Sequence, residues 1–291
     1  MTVKELQKAA SNGNIEKLKL ILQAKPGLME EADESGMTAL HLAAWEGHTD
    51  IVNFILGKNA DVNSRNKWLQ TPLHYAASKG RHEAALSLIE GGARVDIRDR
   101  DGQTPLHLAC SAGSLAVTEL LMRHGADSRA CDSYNVSVLH EAVSAGAVEV
   151  IRALLNAGAD IRDASKSGVT PLHTAAQIGN VEIVKMLLRD DASLSNADAQ
   201  GHTPLHIALI YRHIEIIRIF LCNGAPVNAD DCGYTALHLA CGRGDTEAVK
   251  LLLQFDAGVN IPNRGGLTPL HFARSRGHDE VVRLLTAKGA R

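Results

Sequence analysis

The string Thr-Pro-Leu-His, or a close variant of it, begins at Thr38, Thr71, Thr104, Ser137, Thr170, Thr203, Thr235 and Thr268, at intervals of 33 residues broken once by an interval of 32. A period this regular dictates a repeat architecture, because one short unit cannot bury its own apolar face and must stack on its neighbours. A ninth copy precedes the first string: Leu6, Ala9, Ala10, Gly13, Leu18, Ile21 and Leu22 stand 34 residues before Leu40, Ala43, Ala44, Gly47, Val52, Ile55 and Leu56. Length alone would suggest about two globular domains. The period replaces them with a single solenoid over 1–291: an N-terminal unit 1–32, seven internal repeats 33–262 and a C-terminal repeat 263–291.

Each unit has a physical reading. Thr is a good N-cap and Pro suits the first helical position, so a short helix opens at each Thr-Pro. Small residues such as Ala109 and Cys110 line its buried face, and a Gly such as Gly113 ends it in a left-handed turn. A second helix follows, with Val184, Leu187 and Leu188 at helical spacing. Gly-Ala-Asp closes it, as at Gly125 to Asp127, and a polar stretch such as Asp99 to Gly102 makes a hairpin-like turn. The core this predicts is a thin layer of Leu, Ile, Val and Ala, which is how a chain with only 3% aromatic residues can fold.

The 33-residue period, the Thr-Pro-Leu-His string and the Gly-Ala-Asp close resemble the ankyrin-repeat family across essentially the whole chain. The resemblance implies an all-α repeat solenoid: helix-turn-helix units joined by projecting β-turn loops in a curved stack. It also implies protein–protein recognition through the turn tips and the concave face of the first helices. Both ends are expected to be capped, with Gln7 and Lys8 replacing His41 and Leu42, Arg274 replacing Ala44 and its equivalents, and Thr286 replacing Leu56 and its equivalents.

Catalytic chemistry finds no footing. Equivalent histidines of adjacent repeats (His41, His74, His107, His140, His173, His206, His238 and His271) stand about 8 to 10 Å apart, too far to share an ion that each must approach to about 2 Å. They are expected to make structural hydrogen bonds. His82-Glu83 and His140-Glu141 begin the zinc-protease pattern, but Leu86 and Ser144 occupy the place of its second His. Gly242-Arg243-Gly244 lacks the third Gly of a dinucleotide loop, which is Glu247 here. No enzyme, metal site or small-molecule cofactor is expected. A net charge of −3 argues against nucleic-acid binding, and no apolar run approaches the ~18 residues of a membrane span. The polar start MTVKELQKAA does not read as a secretory signal. Cys110, Cys131, Cys222, Cys232 and Cys241 are odd in number and lack metal spacing, which suits reduced thiols in the cytoplasm or the nucleus. Glu149 with Arg152, Glu182 with Lys185, Glu215 with Arg218, Glu247 with Lys250 and Glu280 with Arg283 are expected to pair along a solvated outer face.

In the family pattern the variable recognition positions lie four, three and one residues before each Thr, and seven and eight after it. Random placement would put about one of the six Trp and Tyr residues there, yet five are there: Trp45, Trp68, Tyr134, Tyr211 and Tyr234. Only Tyr75 takes a core position. Trp and Tyr are the usual anchors of interfaces. Met37, Lys67, Lys79, Arg100, Val136, Ile178, Ile210, Arg243 and Arg264 complete the expected partner-binding set. Ser78, Ser111, Ala112, Ser144 and Ala145 give repeats three to five a floor of small residues. It lies beside Trp45 at one end and Ile178, Ile210 and Tyr211 at the other, and predicts a trough for an extended segment or helix of a partner protein. Arg243, Arg264 and Arg276, with Asp231 nearby, make a modest basic patch suited to an acidic segment.

Departures from the repeat carry information too. Leu69 and Asn135 replace turn glycines, Ser137-Val138 replaces Thr-Pro, Arg212 replaces an inter-helix Gly, and the turn at Asn228-Ala229-Asp230 is one residue short. Such places can trade stability for binding shape. The resemblance further marks Asn63, Asn228 and Asn260 as candidate substrates of the asparaginyl hydroxylase that modifies ankyrin repeats. The expected function is a non-enzymatic scaffold or adaptor, monomeric on its own, that binds a protein or peptide through its concave face. The alternatives are the substrate-recognition part of a ubiquitin ligase, or an inhibitory module that occludes an enzyme or transcription factor.

Overall fold

The computed structural model describes residues 2–230 and 233–291. Asp231 and Cys232, named above for the basic patch and the thiol set, lie outside the described residues. The described chain holds eighteen α-helices and one 3-10 helix, grouped in two compact units, residues 1–160 and 161–291.

In the first unit the helices come in pairs: α1 (Val3–Ser11) and α2 (Ile15–Ala24), α3 (Ala39–Glu46) and α4 (Thr49–Leu56), α5 (Pro72–Ser78) and α6 (His82–Glu90), α7 (Pro105–Ser111) and α8 (Leu115–Arg123), α9 (Val138–Ser144) and α10 (Val148–Asn156). The first helices of successive pairs pack in the order α1, α3, α5, α7, α9, and α4, α6, α8 and α10 form a second layer. The second unit repeats the plan with α11 (Pro171–Ile178) and α12 (Val181–Arg189), α13 (Pro204–Ile210) and α14 (Ile214–Cys222), α15 (Ala236–Arg243) and α16 (Thr246–Gln254), α17 (Pro269–Ser275) and α18 (Asp279–Ala287). Between the layers lie side chains such as Leu73, Ala76, Ala77 and Leu88 in the first unit, and Leu205, Ala208, Ile217 and Phe220 in the second, all fully buried.

The motif histidine fastens the His41, His74, His173 and His238 repeats to the repeat that follows. The backbone N–H of Thr71 donates to His74 Nδ1 at 3.1 Å, which makes Nδ1 an acceptor and places the ring proton on Nε2. Nε2 then donates to the Gln103 carbonyl of the next repeat at 3.3 Å. His41 does the same to Gln70, and in the second unit His173 and His238 reach the carbonyls of His202 and Leu267. For His107 and His206 the corresponding carbonyls belong to Val136 and Tyr234, but Nε2 lies outside strict hydrogen-bonding geometry. Burial pushes His41, His74, His107 and His206 down to about 4, so each ring is neutral at pH 7.

Between most of the pairs, an Asp or Asn folds the hairpin by accepting two backbone N–H bonds on one oxygen; Ser165 takes this place in the hairpin before Thr170. Asn66 Oδ1 takes those of Trp68 and Gln70, and Asp132 Oδ1 those of Tyr134 and Val136. Tips are tied to one another: Lys67 N donates to Ser35 O, Arg100 N to Trp68 O and Ser133 N to Asp101 O, each at 2.9 Å.

Several expectations change. Gln7, expected as a polar end residue, is buried and donates through Nε2 to the Met37 carbonyl at 2.7 Å, the bond that histidine makes in later repeats. Arg274 and Thr286 are exposed. Of the five expected outer-face pairs, Glu149–Arg152 forms at 3.4 Å, but Lys185 and Lys250 reach Glu215 and Glu280 of the following repeat instead. The same helical face recurs in the next repeat, and its carboxylate competes with the one three residues away. Leu69, Asn135 and Arg212 adopt the left-handed conformation of the glycines they replace, with φ of 62°, 58° and 61°. Asn59, Asp191 and Asp256 do so as well, at the close of the second helix, a substitution the sequence reading missed.

Candidate functional site: an exposed face on the helix ends and turn tips

Recognition positions in the first unit fall into two kinds. Residues four and three before each Thr sit at the hairpin tips, and those seven and eight after it sit at the C-terminal ends of α3, α5, α7 and α9; most of these are exposed. The residue immediately before the Thr is less accessible in this unit: Met37 is buried, and Gln70, Gln103 and Val136 are half-buried. Met37 therefore leaves the partner-binding set. It is only 6% exposed, with Asn66 Nδ2 3.4 Å from its sulfur.

The remaining aromatic candidates are outside. Trp45, Trp68 and Tyr134 in the first unit, and Tyr211 and Tyr234 in the second, are 36% to 61% exposed. Tyr75, expected in the core, is half-buried and belongs to the same surface cluster. Its ring lies 5.5 Å from Trp45 and edge-on to His41 at 5.8 Å, while its hydroxyl accepts from Asn66 Nδ2 at 2.8 Å. Lys79 Nζ stands 5.5 Å from the Trp45 ring centroid, a cation–π contact that holds the indole in place. Trp45 is thus braced on both sides, so little side-chain freedom remains to be lost on binding.

Beside this cluster, Ser78 is half-buried and Ser111, Ala112, Ser144 and Ala145 are exposed at the ends of α5, α7 and α9. They form a floor of small residues, with Trp68 and Tyr134 exposed on the tips of the third and fifth repeats. Lys67 and Arg100 are exposed tip residues, and the Arg100 guanidinium donates to the Lys67 carbonyl at 2.9 Å. Glu141 on α9 was not singled out as a recognition residue. Its position four after Ser137 carries Leu42, Tyr75 and Leu108 in the preceding repeats, and that break in an apolar column is the signal that could have found it.

In the second unit Ile178 is exposed and Ile210 half-buried. Tyr211 stacks nearly parallel on His213, and Tyr234 packs edge-on against His238 and Phe272. Arg243 donates to the Leu209 and Ile210 carbonyls, while the Arg264 stem crosses Gly233, so both stems are tied down although both residues are exposed. The asparagines considered for hydroxylation are engaged between repeats: Asn63 bridges Gly92 and Arg94, Asn228 receives Gly258, and Asn260 bridges Gly289 and Arg291.

One feature of the first unit had no sequence precursor. The 3-10 helix Pro26–Met29 and α4 border a cavity of about 380 Å³ lined by Leu22, Pro26, Met29 and Phe54. Its Phe54 ring is already approached by Lys19 and Lys58 at 5.9 and 5.8 Å. Among the described residues no helix is long and apolar enough to cross a membrane.

Comparison with known proteins agrees with this architecture. The human NAD-capped RNA hydrolase NUDT12 is 46% identical over 63 residues, 22% of this chain and 14% of that protein. The probable E3 ubiquitin-protein ligase XBOS33 of Oryza sativa subsp. japonica is 40% identical over 67 residues, 23% of this chain and 13% of that protein. The chain thus spans about one-seventh of the length of these curated relatives. The crystal structure of the human ASB11 ankyrin repeat domain superposes with a TM-score of 0.68 at 27% identity, covering 74% of this chain and 98% of that one. A family model described as ankyrin repeats (3 copies) matches residues 5–66, 73–165, 139–231 and 225–291, and the chain belongs to the ankyrin-repeat family.

Proposed function

We propose that this protein is a non-enzymatic scaffold or adaptor that binds a protein segment on the inner helix ends and turn tips of its first unit. Ankyrin repeats generally serve protein–protein interaction. The observation that carries the reading is the placement of Trp45, Trp68 and Tyr134, exposed around a floor of Ser111, Ala112, Ser144 and Ala145. A thin layered core has little room for large rings, but crowding alone would not gather them on one face. Exposed aromatics beside small residues supply both anchors and the space that a partner chain would fill.

The test is a peptide library displayed on phage and selected on the full chain. Selected segments should lose at least tenfold in affinity for a variant carrying Trp68→Ala and Tyr134→Ala, with an unchanged melting temperature. Equal binding by the variant would remove the trough.

A second reading, the substrate-recognition part of a ubiquitin ligase, is favoured by the match to two plant E3 ligases, XBOS33 and the Arabidopsis thaliana XBAT33, each 40% identical over 67 residues. Copurification of ligase subunits with the tagged chain is its test. A cytoplasmic or nuclear location is supported by the thiols of Cys110, Cys222 and Cys241, none of them in a disulfide.

A further inference from the structure

Among the repeats that carry the Thr-Pro-Leu-His string, Glu141 alone puts a charge in its column, although the N-terminal repeat has an exposed Lys8 there. The residues in its place are Leu42, Tyr75 and Leu108 earlier in the first unit, and Thr174, Ile207, Leu239 and Phe272 in the second. All are half-buried, at the inner face of the first helix of their repeat. Glu141 is half-buried too, and its side chain turns back toward the fourth repeat. There the Gln103 amide donates to Oε1 at 3.4 Å and the Ser111 hydroxyl donates to the carboxyl group. This puts the carboxyl on the floor of the trough, between Ser111 and the hairpin that carries Arg100.

Nothing in the fold neutralises it. The charged group that acts on it is another carboxylate, Asp132, and among the described residues no lysine or arginine pairs with it. Burial, with Asp132 adding to it, raises its carboxyl from its ordinary value, against the lowering effect of the Ser111 hydrogen bond. The positive groups of this face, Lys67, Lys79 and Arg100, belong to the third and fourth repeats. Lys79 is engaged with Trp45 and Arg100 with Lys67. A half-buried carboxylate on a protein's own surface is unfavourable, and it becomes favourable once a cation enters and shares its hydrogen bonds.

We infer that Glu141 is the specificity-determining residue of the trough and receives a lysine or arginine side chain of an extended partner segment. The inference rests on the trough reading of the first unit. The aliphatic stem of the basic residue would lie over the small side chains Ser111, Ala112 and Ser144, with its charged head on the Glu141 carboxylate. The neighbouring residues of the segment would meet Trp68 and Tyr134 on the tips. Discrimination follows from the same geometry, because a segment with a neutral residue there would cover a carboxylate without pairing it.

The experiment uses the full chain, a display library of linear peptides, and the variants Glu141→Gln and the Trp68→Ala, Tyr134→Ala double substitution. Gln keeps the shape and the contacts to Ser111 and Gln103 while removing the charge, so a melting temperature equal to or above that of the parent is expected. Selection on the parent should return segments with Lys or Arg at one fixed position. For a synthetic peptide of that sequence, Glu141→Gln should weaken binding about tenfold or more, and should have no further effect once the peptide's basic residue is replaced by Gln. Binders that need Trp68 and Tyr134 but show no fixed basic residue, or bind Glu141→Gln equally well, would overturn the role of Glu141 and leave the trough standing. Binders indifferent to Trp68 and Tyr134 would overturn the trough and this inference with it.

Discussion

The buried histidines make stability depend on pH in a defined window. His41, His74 and His107 of the first unit are fully buried and held at about 4, against about 6.5 in an unfolded chain. A folded value below the unfolded one means that the unfolded chain takes up the proton first. Above about pH 6.5 both states are neutral and the full stability is present; as pH falls toward 4 it drains away. At pH 5.5 the unfolded chain holds about 0.9 proton on each ring and the folded chain almost none, a cost of between about 1 and 2 kcal/mol each and about 4 kcal/mol for the three. This window lies above the ordinary carboxylate range, so acid groups add little to it. Glu141 acts in the opposite sense, since its raised value favours the folded state as acid protonates it. Both tryptophans, Trp45 and Trp68, lie in the first unit, so their fluorescence during urea unfolding follows the loss of structure there. The free energy of unfolding should fall by about 4 kcal/mol between pH 7.0 and 5.5. Gln7 already makes the inter-repeat bond without titrating, so His74→Gln should flatten the pH dependence by about one-third whatever it does to stability at pH 7. An unfolding free energy that stays within about 1 kcal/mol across this range, or a His74→Gln profile parallel to the parent's, would refute the reasoning.

Two further outcomes follow from the backbone and the thiols. Leu69→Gly should raise the urea midpoint slightly, by the equivalent of about 0.5 kcal/mol, because relief of the left-handed strain of about 1 to 2 kcal/mol outweighs the extra chain entropy of glycine; a lower midpoint would mean that the Leu69 side chain packs more than its exposure suggests. Alkylation with peptide mapping should modify exposed Cys222 in the native protein, and Cys110 and Cys241 only on unfolding, since burial removes access and pushes both thiols up to about 12; native labelling of Cys110 would show that the inner layer opens locally.

Most of the fold was legible because each repeat states the same local chemistry again. Thr71, Pro72 and His74 declare a helix start, and the copies at Thr104, Pro105 and His107 give the spacing at which the next layer must stack. Less legible were features in which a backbone atom is the partner. Met37 looked like a recognition residue by position, yet its carbonyl accepts from Gln7 and its side chain is buried. Lys185 had a carboxylate three residues away in sequence and chose Glu215 of the next repeat, a choice set by the distance between repeats. The exposed aromatics can be located because composition makes them rare, whereas Glu141 stands in a motif-like His140-Glu141 pair and outside the recognition positions of the family pattern.

That contrast supplies a way to separate structural from recognition residues in a repeat chain. A residue that recurs at every period is explained by a bond that recurs, as the histidines are by the carbonyls of the following repeat. When one repeat departs from its column, the departure must satisfy a local constraint or a partner. Leu69 and Asn135 still take the backbone conformation of the glycine they replace, so the repeat geometry survives them and their cost is local. Glu141 differs in kind, because it puts an ionisable carboxyl where neighbouring repeats place uncharged side chains, beside a second carboxylate and, among the described residues, without a paired lysine or arginine. Stability alone would favour Leu at this position. What would make Glu the better residue is a positive charge arriving from outside the chain, and the floor of small side chains beside it leaves the room for that charge to arrive on a partner segment.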